Sequence, residues 1–150
     1  MKRFKIWSIA VAMFAALFLV SCDKDDDNDS INYDYLSGTW TVDYPEGVIT
    51  EGYTHYTFSP KTSSEGTLEV YSMDWLAARD TTYHNRYTLD ANGHLQSFRK
   101  TEDGSEQVYH NLYITRLTAK EMRWVFHMTD GTADQVTDLK RVEENESGSR

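Results

Sequence analysis

Reactive side chains are plentiful in this chain, and their spacing decides what they can do. The five histidines, His55, His84, His94, His110 and His127, are the first candidates for metal ligation. No two of them stand at ligand spacing on one strand or helix, and none lies in a His-Glu-x-x-His or comparable frame. The sequence therefore predicts no metal and no cofactor. Nucleophilic catalysis has no better frame, because no serine occupies a Gly-x-Ser-x-Gly elbow. Glu65, Glu69, Glu102 and Glu106 could act as a carboxylate pair only if the fold brought two together, and acids this close to turns are ordinarily solvated. The reading is not an enzyme. Aromatic rings are the remaining candidates. Tyr83, Tyr87, Trp124 and Phe126 offer flat apolar surface, and the tyrosines add a polar handle, which suits a small ligand. Trp40, Tyr56, Phe58, Tyr87, Trp124 and Phe126 would equally serve as core filling, and the size of the rings favours that role in a small domain.

The one cysteine, Cys22, sits between a greasy segment and a burst of acid in the stretch FLVSCDKDDDND, residues 18–29. Ahead of it, Met1-Lys2-Arg3-Phe4-Lys5 is a basic leader, and Ile6 to Val20 is an uncharged apolar run too short to span a bilayer comfortably. Residues 1–21 thus read as a secretory signal peptide rather than a transmembrane helix. Leu19-Val20-Ser21-Cys22 resembles the lipobox of bacterial lipoproteins. The resemblance implies cleavage between Ser21 and Cys22, with acyl chains such as palmitate on the Cys22 thiol and on the new amino group. Two chains or more are what stable anchoring requires, since one acyl chain binds a membrane only marginally. A lone thiol in an exported chain has no internal disulfide partner, which agrees with its being committed to lipid.

Residues 22–32 then form an acidic tether. Asp23-Lys24-Asp25-Asp26-Asp27-Asn28-Asp29 is similar to the export tag that some outer-membrane lipoproteins carry after the cysteine, which implies display on the cell exterior. Any such charge run is also a solvated, self-repelling spacer, and the two readings are compatible. The alternation of Asp23, Asp25 and Asp27 imitates a calcium loop, but Asn28 replaces the glycine needed at position six and Asp34 stands where position twelve needs glutamate.

Removing residues 1–21 takes away Lys2, Arg3 and Lys5 and no acid, leaving 12 basic residues against 24 acidic ones, a formal charge of −12. A phosphate backbone repels such a surface, which excludes nucleic acid as a partner. Adhesion to anionic lipid is excluded for the same reason, so the acyl chains on Cys22 are the expected membrane contact.

Residues 33–143 suit one domain, and their tyrosine- and threonine-rich composition favours strands. Short aromatic or β-branched runs recur, each followed by a turn signal. The eight runs are Thr39–Tyr44, Gly52–Phe58, Thr67–Met73, Thr81–Leu89, His94–Thr101, Ser105–Leu117, Met122–Met128 and Thr132–Val142. Pro45 and Pro60 fall where turns are expected, a less regular link passes through Trp75 and Arg79, and Asn92-Gly93 marks a tight hairpin. Loops this short join antiparallel neighbours. Rolling the sheet so that the first strand meets the last removes both exposed edges, which predicts an all-β, eight-stranded antiparallel up-and-down barrel. A β-sandwich is the alternative. By the two-residue strand period, Met122, Trp124, Phe126 and Met128 share one face, and Tyr83, Tyr87 and Leu89 share another, with His84 and His127 outward. Leu112 and Ile114 are out of phase with Leu117, which calls for a bulge or for Leu117 at the barrel end. Residues 144–150 hold no apolar anchor and are expected to fray.

Leu36-Ser37-Gly38-Thr39-Trp40 places Gly-x-Trp on the first strand after a segment able to form one helical turn. With Tyr113-Ile114, Leu117-Thr118, Met122-x-Trp124 and Leu139-Lys140-Arg141-Val142, this resembles small lipocalin-like bacterial lipoproteins. The resemblance implies that Trp40 plugs one barrel end with Arg141 lying across it, a cation–π contact of about 0.5–2 kcal/mol. It also implies a small apolar or amphipathic ligand in the mouth. The chain departs from secreted lipocalins in having no disulfide and no Thr-Asp-Tyr signature. The second expectation is a non-enzymatic accessory subunit of an outer-membrane complex, its barrel packed solid. Under either reading Cys22→Ala should abolish metabolic labelling by a palmitate analogue and release the protein from membranes. Labelling that survives the substitution would contradict the lipobox reading.

Overall fold

The computed structural model describes residues 31–143. Ser21, Cys22, the signal segment, most of the acidic tether (residues 22–30) and the tail at 144–150 lie outside them. A 3-10 turn at Tyr33–Tyr35 precedes β1 (Gly38–Val42), β2 (Gly52–Pro60), β3 (Glu65–Asp74), β4 (Arg79–Leu89), β5 (His94–Lys100), β6 (Glu106–Leu117), β7 (Glu121–Phe126) and β8 (Gln135–Arg141). Every strand pairs antiparallel with its sequence neighbour, and β1 pairs with β8, so the sheet is a closed up-and-down barrel of lipocalin-like type. The sandwich alternative is thereby overturned. Turn chemistry explains the local order. Between β4 and β5, Gly93 takes φ 83°, and the Asp90 carboxylate accepts from the backbone N–H groups of Asn92 and His94 at 2.8 and 3.0 Å.

Strand bounds differ from the sequence reading at several ends. Arg79 is not in a link but opens β4 opposite Asp74, and Pro60 is not in a turn but closes β2 opposite Gly66. A proline at a strand terminus removes no interior ladder bond. Met128 lies beyond β7 and is exposed, so it does not continue the inward row of Met122 and Trp124. β8 begins at Gln135 because Asp130 folds the preceding loop back on itself, accepting from the Thr132 N–H at 3.0 Å. The phase conflict on β6 is resolved by a bulge at Thr115: Ile114 pairs with Trp124, the next pair is Arg116 with Arg123, and Leu117 returns to the interior. A second bulge, at Tyr109, follows the pairing of His110 with Ser97.

One end of the cylinder is sealed by main-chain and side-chain contacts together. Trp40 is fully buried and donates its indole N–H to the Leu36 carbonyl at 3.0 Å, which folds the 3-10 turn over the barrel end. Arg141 faces Trp40 across the β1–β8 seam, with Cζ 4.3 Å from the ring centroid. Its guanidinium donates to the carbonyls of Ala119 and Ser37, each at 2.6 Å, and of Tyr35. One side chain therefore ties the entry segment to the β6–β7 loop. Gly38, at φ 118°, lies against that guanidinium, where any side chain would collide with it. Apolar side chains fill the adjoining section, among them Leu36, Phe58, Leu89, Leu95, Leu112 and Leu139. Arg141→Lys keeps the charge but loses the planar fork that reaches three carbonyls. It should lower the unfolding free energy by about 1–3 kcal/mol in urea titrations. An unchanged midpoint would show that the fork does not hold this end.

Candidate functional site

The inward row of β4 changes character along the strand. Tyr87 is buried at the sealed end, 5.4 Å from the Phe58 ring in an edge-on contact, and burial pushes its phenol up to about 12. It is a core residue. Two positions further up is Asn85, 2% exposed, and two further again is Tyr83, 38% exposed at the mouth. The neighbouring inward row on β5 runs Leu95, Ser97 and Arg99, so the lumen turns from hydrocarbon to polar over the same height.

Arg99 is the centre of this upper section. Its Cζ lies 3.5 Å from the ring centroid of Tyr83 and 3.5 Å from that of Tyr109, a guanidinium held between two tyrosines. Its Nε donates to Asn85 Oδ1 at 3.3 Å. The bulge on β6 delivers Tyr109 to this position, beside His110. His110 shares a 2.6 Å hydrogen bond with the fully buried Ser97 hydroxyl, and its ring lies 6.1 Å from Tyr56 and 6.5 Å from Trp124. Burial, helped by the Arg99 charge, lowers His110 to about 4, so the imidazole is neutral at ordinary pH. Burial also raises the Tyr56 phenol, whose ring meets Trp124 edge-on at 4.8 Å. Ser97 and His110 have the atoms of a nucleophile and base, but Ser97 is sealed from any substrate, and the bond acts to fix the imidazole ring.

Three buried polar atoms in this section have no hydrogen-bond partner among the described residues: Asn85 Nδ2, Arg99 Nη2 and Trp124 Nε1. All three are donors. A cleft of about 700 Å³ opens to solvent beneath the β1–β2 loop, with Tyr44, Val48, Ile49, Thr54, Thr81 and Tyr83 in its wall, and Tyr83, which covers Arg99, separates it from these donors.

Of the residues singled out from sequence, Tyr83 lines the cleft and covers Arg99, and Trp124 is buried in the upper lumen. Phe126 packs on Trp124 at 6.5 Å. Tyr83 reaches Trp124 only through Tyr109 and His110, so the four candidates do not form one surface. Asn85, Ser97, Arg99 and Tyr109 are not among the residues singled out from sequence, and His110 is considered there only as a metal ligand. Strand phase gives a signal for His110, which alternates with Leu112, and for Asn85, which alternates with Tyr83 and Tyr87 but whose polarity points the other way. Of the four glutamates weighed for a carboxylate pair, Glu69 lies 3.5 Å from the His84 ring and Glu106 pairs with Arg86 at 2.8 Å.

Comparison of the chain with protein-family models and with curated proteins finds no match. The functional reading therefore rests on geometry and sequence.

The His110 environment sets a pH dependence. The unfolded imidazole binds a proton near pH 6.5 and the folded one only near 4. This contribution to stability is complete above pH 6.5 and is lost as pH falls from 6.5 towards 4. The loss should be at most about 3 kcal/mol, and His110→Gln should flatten this part of the profile. Equal pH slopes for the two proteins in urea unfolding would contradict the burial of a neutral imidazole.

Proposed function

We propose that this protein is a lipid-anchored outer-membrane lipoprotein, displayed on the cell exterior, whose barrel takes a small amphipathic ligand into its open end. The observation that carries the binding role is the set of unpartnered buried donors in the upper barrel, joined to an open cleft through Tyr83, which lines the cleft and covers Arg99. A barrel packed for stability alone would place hydrocarbon there, because each unsatisfied buried donor costs about 1–3 kcal/mol. A ligand bearing acceptors recovers that energy.

The anchor agrees with this arrangement. The described chain enters at the sealed end, where Ile31 packs against the core ahead of the 3-10 turn. Cys22 precedes Ile31 by nine residues, a reach of at most about 30 Å. The mouth lies at the opposite end of the cylinder from that entry point, which leaves it free to face the aqueous phase.

An accessory role in an outer-membrane complex has one observation in its favour. Ile49, 96% exposed, and the exposed Trp75 and Leu76 stand on the β1–β2 and β3–β4 loops at the open rim. Native mass spectrometry of the unlipidated mature chain separates the two roles. The binding role is expected to give a co-purified small-molecule adduct and a shift in tryptophan emission when a medium-chain amphiphile is added. Bare protein in repeated spectra with unmoved emission would favour the accessory role.

A further inference from the structure

Building on the binding role proposed above, we infer that the group recognised is the carboxylate head of an amphipathic molecule, held by the free edge of the Arg99 guanidinium with Asn85 beside it. Four observations lead there.

The first is the state of the guanidinium. Both faces are covered by Tyr83 and Tyr109, and Nε is committed to Asn85 Oδ1. The terminal nitrogens form the remaining edge, and Nη2 there is buried without a partner. A planar fork presenting parallel N–H groups matches a carboxylate better than any neutral acceptor.

The second is the missing counter-ion. Arg86, Arg116 and Arg123 each pair with a carboxylate, at 2.8, 2.7 and 2.6 Å, Arg141 is held by backbone carbonyls, and Arg79, without an ion pair among the described residues, is exposed to solvent rather than enclosed. Among the described residues no carboxylate lies within 4 Å of Arg99. The sequence holds 24 acidic against 15 basic residues, so the absence of an acid from this position is not for want of supply.

The third is the sign of the unpartnered atoms. Asn85 Nδ2 is a second donor next to Arg99, on a side chain 2% exposed, and Trp124 Nε1 is a third. Among the described residues no buried side-chain acceptor is left unpartnered with them. The buried part of the site is complementary to acceptors.

The fourth is continuity with the cleft. Tyr83 both covers Arg99 and lines the cleft, which also has Tyr44, Val48 and Ile49 in its wall. An apolar body lying along those side chains would bring its head to Tyr83, and a movement of that ring would open the guanidinium to it. The rim of the cleft carries charges of both signs, Glu51 and Asp74 with Arg79 opposite Asp74.

The test uses the unlipidated mature chain, beginning at Cys22→Ala, with decanoate and decanol as probes that share a body and differ in the head. Isothermal titration at pH 7.5 should show decanoate bound at least about tenfold more tightly than decanol. Arg99→Met should remove that preference and leave the affinity for decanol unchanged. Arg99→Lys should restore part of it, since the charge returns without the fork. Equal binding of the two probes by the parent would overturn the carboxylate head while leaving the amphiphile role standing. Binding of neither probe would overturn both.

Discussion

A sheet of eight strands has two edges, and here they meet along only three residue pairs: Trp40 with Arg141, Thr41 with Lys140 and Val42 with Leu139. The β3–β4 ladder, by contrast, runs from Glu65 opposite Thr88 to Asp74 opposite Arg79. A short seam supplies few backbone hydrogen bonds, though flanking bonds from Val142 to Thr39 and from Asp43 to Asp138 extend it at 2.9 and 2.8 Å. Side chains make up the difference. The seam's first pair is the tryptophan that plugs the barrel and the arginine that ties three carbonyls above it. Closure of the sheet and closure of the barrel end are thus one interaction. Without it the strands would present two unpaired edges, an invitation to aggregation.

The same interaction makes the cylinder asymmetric. Hydrocarbon concentrates around Trp40, Phe58, Leu95 and Leu112 at the sealed end, where the hydrophobic contribution to stability is greatest. The opposite end holds Asn85, Ser97, Arg99 and His110, and the bulge at Tyr109 lets a second ring reach the guanidinium. Such a section contributes little to folding. The unpartnered donors are a cost, offset in part by the tyrosine rings over Arg99 and the Ser97–His110 hydrogen bond. The fold tolerates them because the other end is tightly packed, the pattern expected where a protein keeps polar groups in reserve for a ligand.

Much of this is legible in the sequence. Asn92-Gly93 fixed the β4–β5 hairpin, the spacing of short aromatic runs gave the number of strands, and the phase of Met122 and Trp124 placed both inside. Gly38-Thr39-Trp40 with Arg141 pointed to the seam through resemblance, since nothing in their spacing implies contact over a hundred positions. The polar centre was less visible. Asn85 follows the same two-residue phase as Tyr83 and Tyr87, but polarity argues against an inward assignment unless partners are known. Arg99 and Tyr109 could not be joined from sequence, because a bulge changes the phase of β6 and leaves no signature in residue type. The lipid anchor at Cys22 remains a reading of sequence, and its chemistry lies outside the described residues.

Indole hydrogen exchange, followed by ¹H–¹⁵N NMR of the mature unlipidated chain in D₂O, tests the two-ended barrel most directly. Trp75, exposed on the rim, provides the fast reference. The Trp40 indole hydrogen, bonded to Leu36 under the Arg141 clamp, is expected to exchange only with global unfolding. That of Trp124, buried without an acceptor, is expected to exchange far sooner, through local opening of the upper lumen. Equal protection of Trp40 and Trp124, or slower exchange at Trp124, would contradict a barrel sealed at one end and open at the other.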